Sequence, residues 1–236
     1  MDPDAARRIR EQFREDDFYL SLTSPTSRRV LEGMIEDERL PGTTEPPVLA
    51  LLGALVHIIQ PERLLQLGTY IGFSAVFLAD ILSRQPTPGR LVTVDPNPVA
   101  HELARKWIGR ADLDGSVVFI DQASTDPRAA SVISSLGPFD LAYLDSSHAY
   151  EETLVELALL FEHDGWLSKS GLLILHDASQ AATEFDPTGQ GGVRRALDEW
   201  QATHGLSYQL SILEEPLWPG GAGVAILSRT LHAAKE

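Results

Sequence analysis

From about Arg63 onward, short β-rich apolar runs alternate with stretches whose apolar positions recur at helical spacing. This is the pattern of βα units winding a parallel sheet. The strand runs are RLLQL from Arg63, RLVTVD from Arg90, SVVFID from Ser116, FDLAYLD from Phe139 and GLLILHD from Gly171. The last four each close on an aspartate: Asp95, Asp121, Asp145 and Asp177. A parallel strand delivers such residues to the carboxyl edge of the sheet, where ligands bind in open α/β folds. Two later runs, YQLSIL and AGVAILS, extend the sheet, and LWPGGAG before the second reads as a tight connection that makes the pair antiparallel. The predicted fold is therefore α/β, a doubly wound Rossmann-like sheet, mostly parallel with an antiparallel final strand, and helices on both faces.

The helices announce their ends. Ser24-Pro25, Asn97-Pro98 and Asp126-Pro127 each set a capping side chain before a proline suited to the first helical turn. After Asp145, the residues Leu154, Leu157, Ala158 and Phe161 mark an apolar stripe, and Glu152 and Glu156 fall off it, on the expected solvated face. Val193, Leu197 and Trp200 mark one more helix, stopped by Gly205. The first 60 residues are helical by pattern and carry no strand. PPVLALLGALVHII is apolar nearly all round, which predicts burial between the sheet and the N-terminal segment. A boundary near residue 45 is expected, with 1–45 an extra helical segment serving as lid or dimerisation arm and 46–236 the sheet-bearing domain.

With 236 residues, 43% of them hydrophobic and 22% charged, the chain has the balance of a soluble globular protein. No apolar run reaches the ~18 residues of a membrane span, and the charged start MDPDAARRIREQFREDD is unlike a signal peptide, so a cytoplasmic location is expected. Thirty-four acidic against 19 basic residues give a net charge of −15, which disfavours nucleic acid as a partner. The absence of cysteine removes thiolate chemistry and leaves oxygen and imidazole as metal ligands.

Chemistry gathers at the strand ends. In LLQLGTYIGFSAVFLAD, Gly68 and Gly72 bracket Thr69, Tyr70 and Ile71 before a helix expected from Phe73 onward, with Ser74 in its first turn. Such a turn lets backbone N–H groups approach a carboxylate or phosphate, although a tight turn without a ligand has the same pattern. It lacks the third glycine of a dinucleotide fingerprint. Asp95 stands where an acidic side chain accepts ribose hydroxyls, and Ala123 and Ser124 lie in a small polar turn suited to an adenine edge.

The sequence resembles the class I S-adenosylmethionine-dependent methyltransferases over Leu64 to about Leu227. It is most similar to the small O-methyltransferases of catechol O-methyltransferase type and to the cephalosporin-hydroxylase-like and macrocin-type branch. QLGTYIGFSA resembles the family's first motif, VTVDPN its ribose-binding strand end, QAS its adenine-side turn, FDLAYLDSSHAYEE its fourth-strand motif and GLLILHD its fifth strand. The resemblance implies S-adenosylmethionine held by Gly68, Thr69, Tyr70, Gly72, Ser74, Asp95, Ala123, Ser124 and Asp145, and a methyl group passed to a hydroxyl of a small metabolite. It implies Asp145 and His148 as catalytic residues, His148 taking the place of the catechol-type lysine. Asp145 and Asp177, with His176 as a third ligand, would hold Mg²⁺ or another divalent ion. Two positions depart from the family: Gln66 replaces an acidic residue before the glycines, and Ala178 replaces a metal-binding asparagine.

Alternatives stay open on sequence alone. His148 can serve as general base near neutrality or merely bond a helix end, and His176 can be a ligand or a strand-end histidine. The segment Ala178 to Gly192 reads as a mobile loop over the site or as an ordinary connection. Trp218 and Tyr70 are candidates to pack on acceptor or cofactor, whereas His57, His101, His163, His204 and His232 receive no role. The whole chain can instead be a nucleotide-dependent oxidoreductase or a catalytically silent S-adenosylmethionine-binding protein. A homodimer is compatible with the apolar N-terminal helix.

Overall fold

A computed structural model describes residues 3–162, 165–214 and 222–230, which form a seven-stranded sheet in the order β3-β2-β1-β4-β5-β7-β6. The strands are β1 (Arg63–Leu67), β2 (Arg90–Val94), β3 (Val117–Ile120), β4 (Phe139–Leu144), β5 (Leu167–His176), β6 (Tyr208–Leu213) and β7 (Val224–Arg229). The pairs β2–β3, β1–β4 and β4–β5 are parallel, and β7 runs antiparallel to both β5 and β6. All five strand runs read from the sequence are present, and β7 is the antiparallel strand. Residues 217–221 of LWPGGAG, Trp218 among them, lie outside the described residues, as do His163 and His232.

Nine α-helices accompany the described strands: α1 (Pro3–Glu15), α2 (Phe18–Ser21), α3 (Pro25–Ile35), α4 (Pro46–Ile59), α5 (Phe73–Ser83), α6 (Pro98–Arg110), α7 (Pro127–Leu136), α8 (Tyr150–Phe161) and α9 (Gly192–His204). The three Xaa-Pro starts behave as their chemistry requires: Ser24, Asn97 and Asp126 each accept a hydrogen bond from a first-turn N–H of the helix that follows. The chain divides into two compact units, Met1–Glu62 with Thr69–Asp121, and Arg63–Gly68 with Gln122–Glu236.

In the first unit the helix buried on every side is α5, whose residues Phe73 to Leu82 are all buried, rather than α4. α4 covers α5 with Val48, Leu49, Leu52 and Val56 and leaves Ile58 75% exposed. A helix apolar all round was expected to be enclosed; α4 instead lies outside α5, so its far side has no covering layer among the described residues. The N-terminal helices belong to the same core. Phe13 and Tyr19 are buried, with the Phe13 and Phe73 rings edge-on at 5.4 Å, and Ser24 N–H donates to Asp80 at 2.9 Å.

In the second unit β4 is central, paired with β1 on one side and β5 on the other. Its residues from Leu141 to Leu144 are buried, as strands covered on both faces are. Between β1 and β4 the strand order reverses, so their carboxyl ends flank the switch point where open α/β sheets bind ligands. Gly68 and Asp145 are the residues that leave those two ends.

Candidate active site

Three side chains converge at the carboxyl ends of β4 and β5. One ligand atom each from Asp145, His148 and Asp177 lies within 4.8 Å of the others. His148 Nδ1 is in direct contact with Asp177 Oδ2. His176 Nδ1 lies 3.4 Å from Asp145 Oδ1 and 3.3 Å from Asp177 Oδ2, so it bridges the two carboxylates. Tyr143, two residues earlier and so on the same face as Asp145, donates its hydroxyl to Asp145 Oδ2 at 2.9 Å.

The backbone is strained where these groups meet. His148 and Asp177 both have positive φ, 60° and 57°, a region that non-glycine residues seldom occupy and that concentrates at functional sites. The chain around them is held firmly. Asp186 accepts bonds from Thr188 N–H, Thr188 Oγ1, Gln190 N–H and Gly192 N–H, all at 2.7–2.9 Å. The segment from Ala178 to Gly192 thus contains an internally bonded turn after a short 3₁₀ helix at Ala181–Phe185.

Charge follows from this packing. Burial alone would lower the His148 pKa, but the contact with Asp177 and the nearby Asp145 charge outweigh it, so the imidazole titrates above its ordinary value. Burial likewise opposes ionisation of Asp177, yet the two imidazoles hold its carboxyl well below the usual range. The result is a cluster of carboxylates and imidazoles. Two imidazole nitrogens stand against the buried Asp177 Oδ2: His148 Nδ1 in direct contact and His176 Nδ1 at 3.3 Å. Two carboxylates and an imidazole with ligand atoms within 4.8 Å of one another form a donor set that suits a divalent cation. His148 joins the two aspartates as a potential donor, and His176 Nδ1 stands 3.3–3.4 Å from both carboxylates.

The glycine turn is built largely by contacts within the protein. A Cβ on Gly68, whose φ is +94°, would lie 1.8 Å from the Asp145 carbonyl oxygen, and one on Gly72 would lie 2.7 Å from the Ala104 Cβ. Gln66 supports the turn from below, its Nε2 donating to the Gly68 carbonyl at 2.7 Å. In the first unit, Asp95 Oδ2 accepts Thr69 N–H at 2.9 Å and Tyr70 N–H at 3.0 Å, and Oδ1 accepts Asn97 N–H at 2.9 Å. A carboxylate offers about four lone-pair positions, so Asp95 retains capacity for roughly one further donor. Tyr70 is 43% exposed and anchors its hydroxyl on the Arg39 and Pro41 carbonyls, while Ser74 is buried in the first turn of α5. Below the turn sits His101, buried, with Nε2 3.1 Å from Thr69 Oγ1 and Nδ1 against Asp121. Nothing in its helical spacing distinguished His101 from an ordinary core residue.

One expectation is overturned outright. Glu156 is not solvated; it is fully buried in the second unit, with Ser124 Oγ donating to Oε1 at 2.5 Å and Ser146 Oγ to Oε2 at 2.8 Å. The buried stripe of α8 is Thr153, Glu156, Leu157 and Leu160, an i, i+3, i+4, i+7 set in which two polar residues hid the register. Burial raises the Glu156 pKa to about 7, against the pull of the two serine hydroxyls. A carboxyl whose folded pKa exceeds its unfolded value adds stability that is present below the unfolded pKa, near 4.5, and is lost as pH rises through about 7. Glu156→Gln should therefore be more stable than wild type at pH 8.5, by up to about 3 kcal/mol. The gap should close near pH 4.5, with urea midpoints at the two pH values as the measurement.

Known proteins match this arrangement. A methyltransferase-domain family matches residues 65–178, from β1 past the end of β5. Catechol O-methyltransferase B of Danio rerio is 34% identical over 126 residues, covering 52% of this chain and 45% of its own length. Catechol O-methyltransferase of Niastella koreensis is 28% identical over 180 residues, 76% of each chain. The chain thus spans less than half of the first relative and about three quarters of the second. The crystal structure of an O-methyltransferase from Bacillus cereus in complex with SAH superposes with a TM-score of 0.71 at 20% identity, covering 94% of this chain and 100% of that one. Residues 65–178, just under half of the chain, thus carry the likeness to a methyltransferase domain, and the similarity to the Bacillus cereus structure is one of fold.

Proposed function

We propose that this chain is an S-adenosylmethionine-dependent O-methyltransferase whose acceptor is a hydroxyl of a small metabolite, of catechol or comparable type. The observation that carries the reading is the Asp145–His148–Asp177 cluster at the ends of β4 and β5. Methyl transfer to oxygen requires that a hydroxyl lose its proton while a lone pair is held in line with the methyl carbon. The cofactor supplies that electrophilic carbon. Its proposed contacts are Gly68, Thr69, Tyr70, Gly72, Ser74, Asp95, Ala123, Ser124 and Asp145. The Asp95 hydrogen bonds leave room for one ribose hydroxyl unless the turn yields an N–H.

His148 and its neighbours deprotonate and orient the acceptor in one of two ways, each favoured by a specific observation. The convergence of one ligand atom each from Asp145, His148 and Asp177 favours a divalent ion there, which would lower the pKa of a bound hydroxyl; imidazole among the donors favours Mn²⁺ or Fe²⁺ over Mg²⁺. The His148–Asp177 contact favours His148 as a base oriented by a carboxylate. The 36–45 connection, whose Arg39 and Pro41 carbonyls hold Tyr70, is the proposed route by which the 1–45 segment shapes acceptor choice. A homodimer is part of the proposal, supported by the exposed apolar side chains Phe18 and Ile58, and so is a cytoplasmic setting, which suits a chain without cysteine.

Calorimetry tests the reading. The protein should bind S-adenosylhomocysteine with a Kd of about 100 µM or tighter, within the usual substrate range. No heat at millimolar ligand would sink it. A Mn²⁺ titration that gives binding in wild type and none in Asp177→Asn assigns the metal; turnover unchanged by EDTA, with no Mn²⁺ binding, leaves His148 as the base alone.

A further inference from the structure

Glu156 sits on α8 with its whole side chain inside the protein, yet its two oxygens reach two different loops. Ser124 lies in the turn that follows β3, the proposed adenine side. Ser146 directly follows Asp145, at the head of the loop that carries His148. A buried carboxylate is an expensive way to fill space beside Leu157 and Leu160, where an apolar side chain would pack at no desolvation cost. What a carboxylate offers, and a leucine does not, is two acceptor oxygens on one rigid plane. The Ser124 hydroxyl, 6% exposed as a residue, is directed at Glu156 rather than outward, so any contact of this turn with a ligand falls to its backbone or to Ala123.

We propose that Glu156 is a positioning residue that ties the Ser124 turn to the Ser146 loop, fixing the spacing between the cofactor-side turn and the Asp145–His148 segment. Its consequence for catalysis rests on the methyltransferase reading; the tie itself does not. The raised pKa of the buried carboxyl is consistent with this, because serine hydroxyls accept as well as donate and both links survive when the group is neutral. A glutamine should preserve the tie for the same reason, its oxygen accepting from one serine and its amide donating to the other.

The test compares full-length wild type, Glu156→Gln and Glu156→Ala by amide hydrogen exchange over residues 122–126 and 144–149, together with S-adenosylhomocysteine affinity and steady-state kinetics. Glu156→Ala should speed exchange in both segments together, weaken the cofactor product about tenfold or more and raise KM for the cofactor more than it lowers kcat. Glu156→Gln should leave all three near wild type. If Glu156→Ala does not fold, Ser124→Ala and Ser146→Ala carry the test, each speeding exchange in the other serine's segment. Exchange that rises uniformly along the chain, or only within α8, overturns the proposal, as does a glutamine variant as impaired as the alanine one. If wild type binds no cofactor product but both segments loosen together in Glu156→Ala, the methyltransferase reading falls and the tie stands.

Discussion

His148→Ala should lower kcat by about two to four orders of magnitude, the usual contribution of a positioned proton acceptor, while S-adenosylhomocysteine affinity stays within about twofold. The argument comes from position. His148 is the most exposed member of the Asp145–His148–Asp177 cluster, with its side chain 34% accessible against 5% for Asp177, so it is the group an acceptor meets. Asp177 orients the ring through Nδ1, which leaves Nε2 as the nitrogen facing outward. Whether the ring takes the acceptor proton or holds an ion that acidifies it, alanine abolishes the function, and a Mn²⁺ titration of the variant separates the two. Full turnover in a folded His148→Ala protein would remove this histidine from the chemistry and leave His176, bridging the same carboxylates, as the imidazole to test.

Much of this architecture was legible because period and termination agree. Strands covered on both faces read as unbroken apolar runs, and capping side chains before proline marked three helix starts that the structure reproduces. The failures share a cause. Periodicity assigns polar residues to the outside, so the buried stripe of α8 was shifted off Thr153 and Glu156, and the carboxylate that ties two loops looked like solvated surface. The same rule placed α4 inside because it is apolar, although burial depends on what lies over a helix as well as on its composition. At the site, the sequence named the two aspartates and both histidines but not which nitrogen meets which carboxylate, because the left-handed turn at His148 that brings Nδ1 to Asp177 has no signature in a non-glycine residue. Positive φ at Tyr70, His148 and Asp177 is a conformational cost maintained by surrounding contacts, and three of the five described non-glycine residues with positive φ are candidate site residues.

Gly68→Ala should be the most damaging glycine-to-alanine change among the described residues. A Cβ there would stand 1.8 Å from the Asp145 carbonyl oxygen and 2.6 Å from its carbon, both backbone atoms that no rotamer change can move away. The φ of +94° adds backbone strain for any L side chain. Relief requires β1 and β4 to separate at their carboxyl ends, yet these strands are locked in register through Leu67 and Leu144, and Asp145 N–H donates to the Leu67 carbonyl at 2.8 Å. The methyl must therefore break that bond or displace Asp145. A cost on the order of 4 kcal/mol follows from overpacking plus strain, which for a chain of this size lowers Tm by roughly 10 °C. Gly189→Ala separates the two contributions: its φ is +69° but no atom lies within 4 Å of the added Cβ, so it should lose only about 1 kcal/mol. If the fold survives in Gly68→Ala, displacement of Asp145 should still weaken cofactor-product binding and slow turnover together. Wild-type melting and wild-type affinity in that variant would mean that the ends of β1 and β4 do not approach this closely, and the switch-point site would lose its geometric basis.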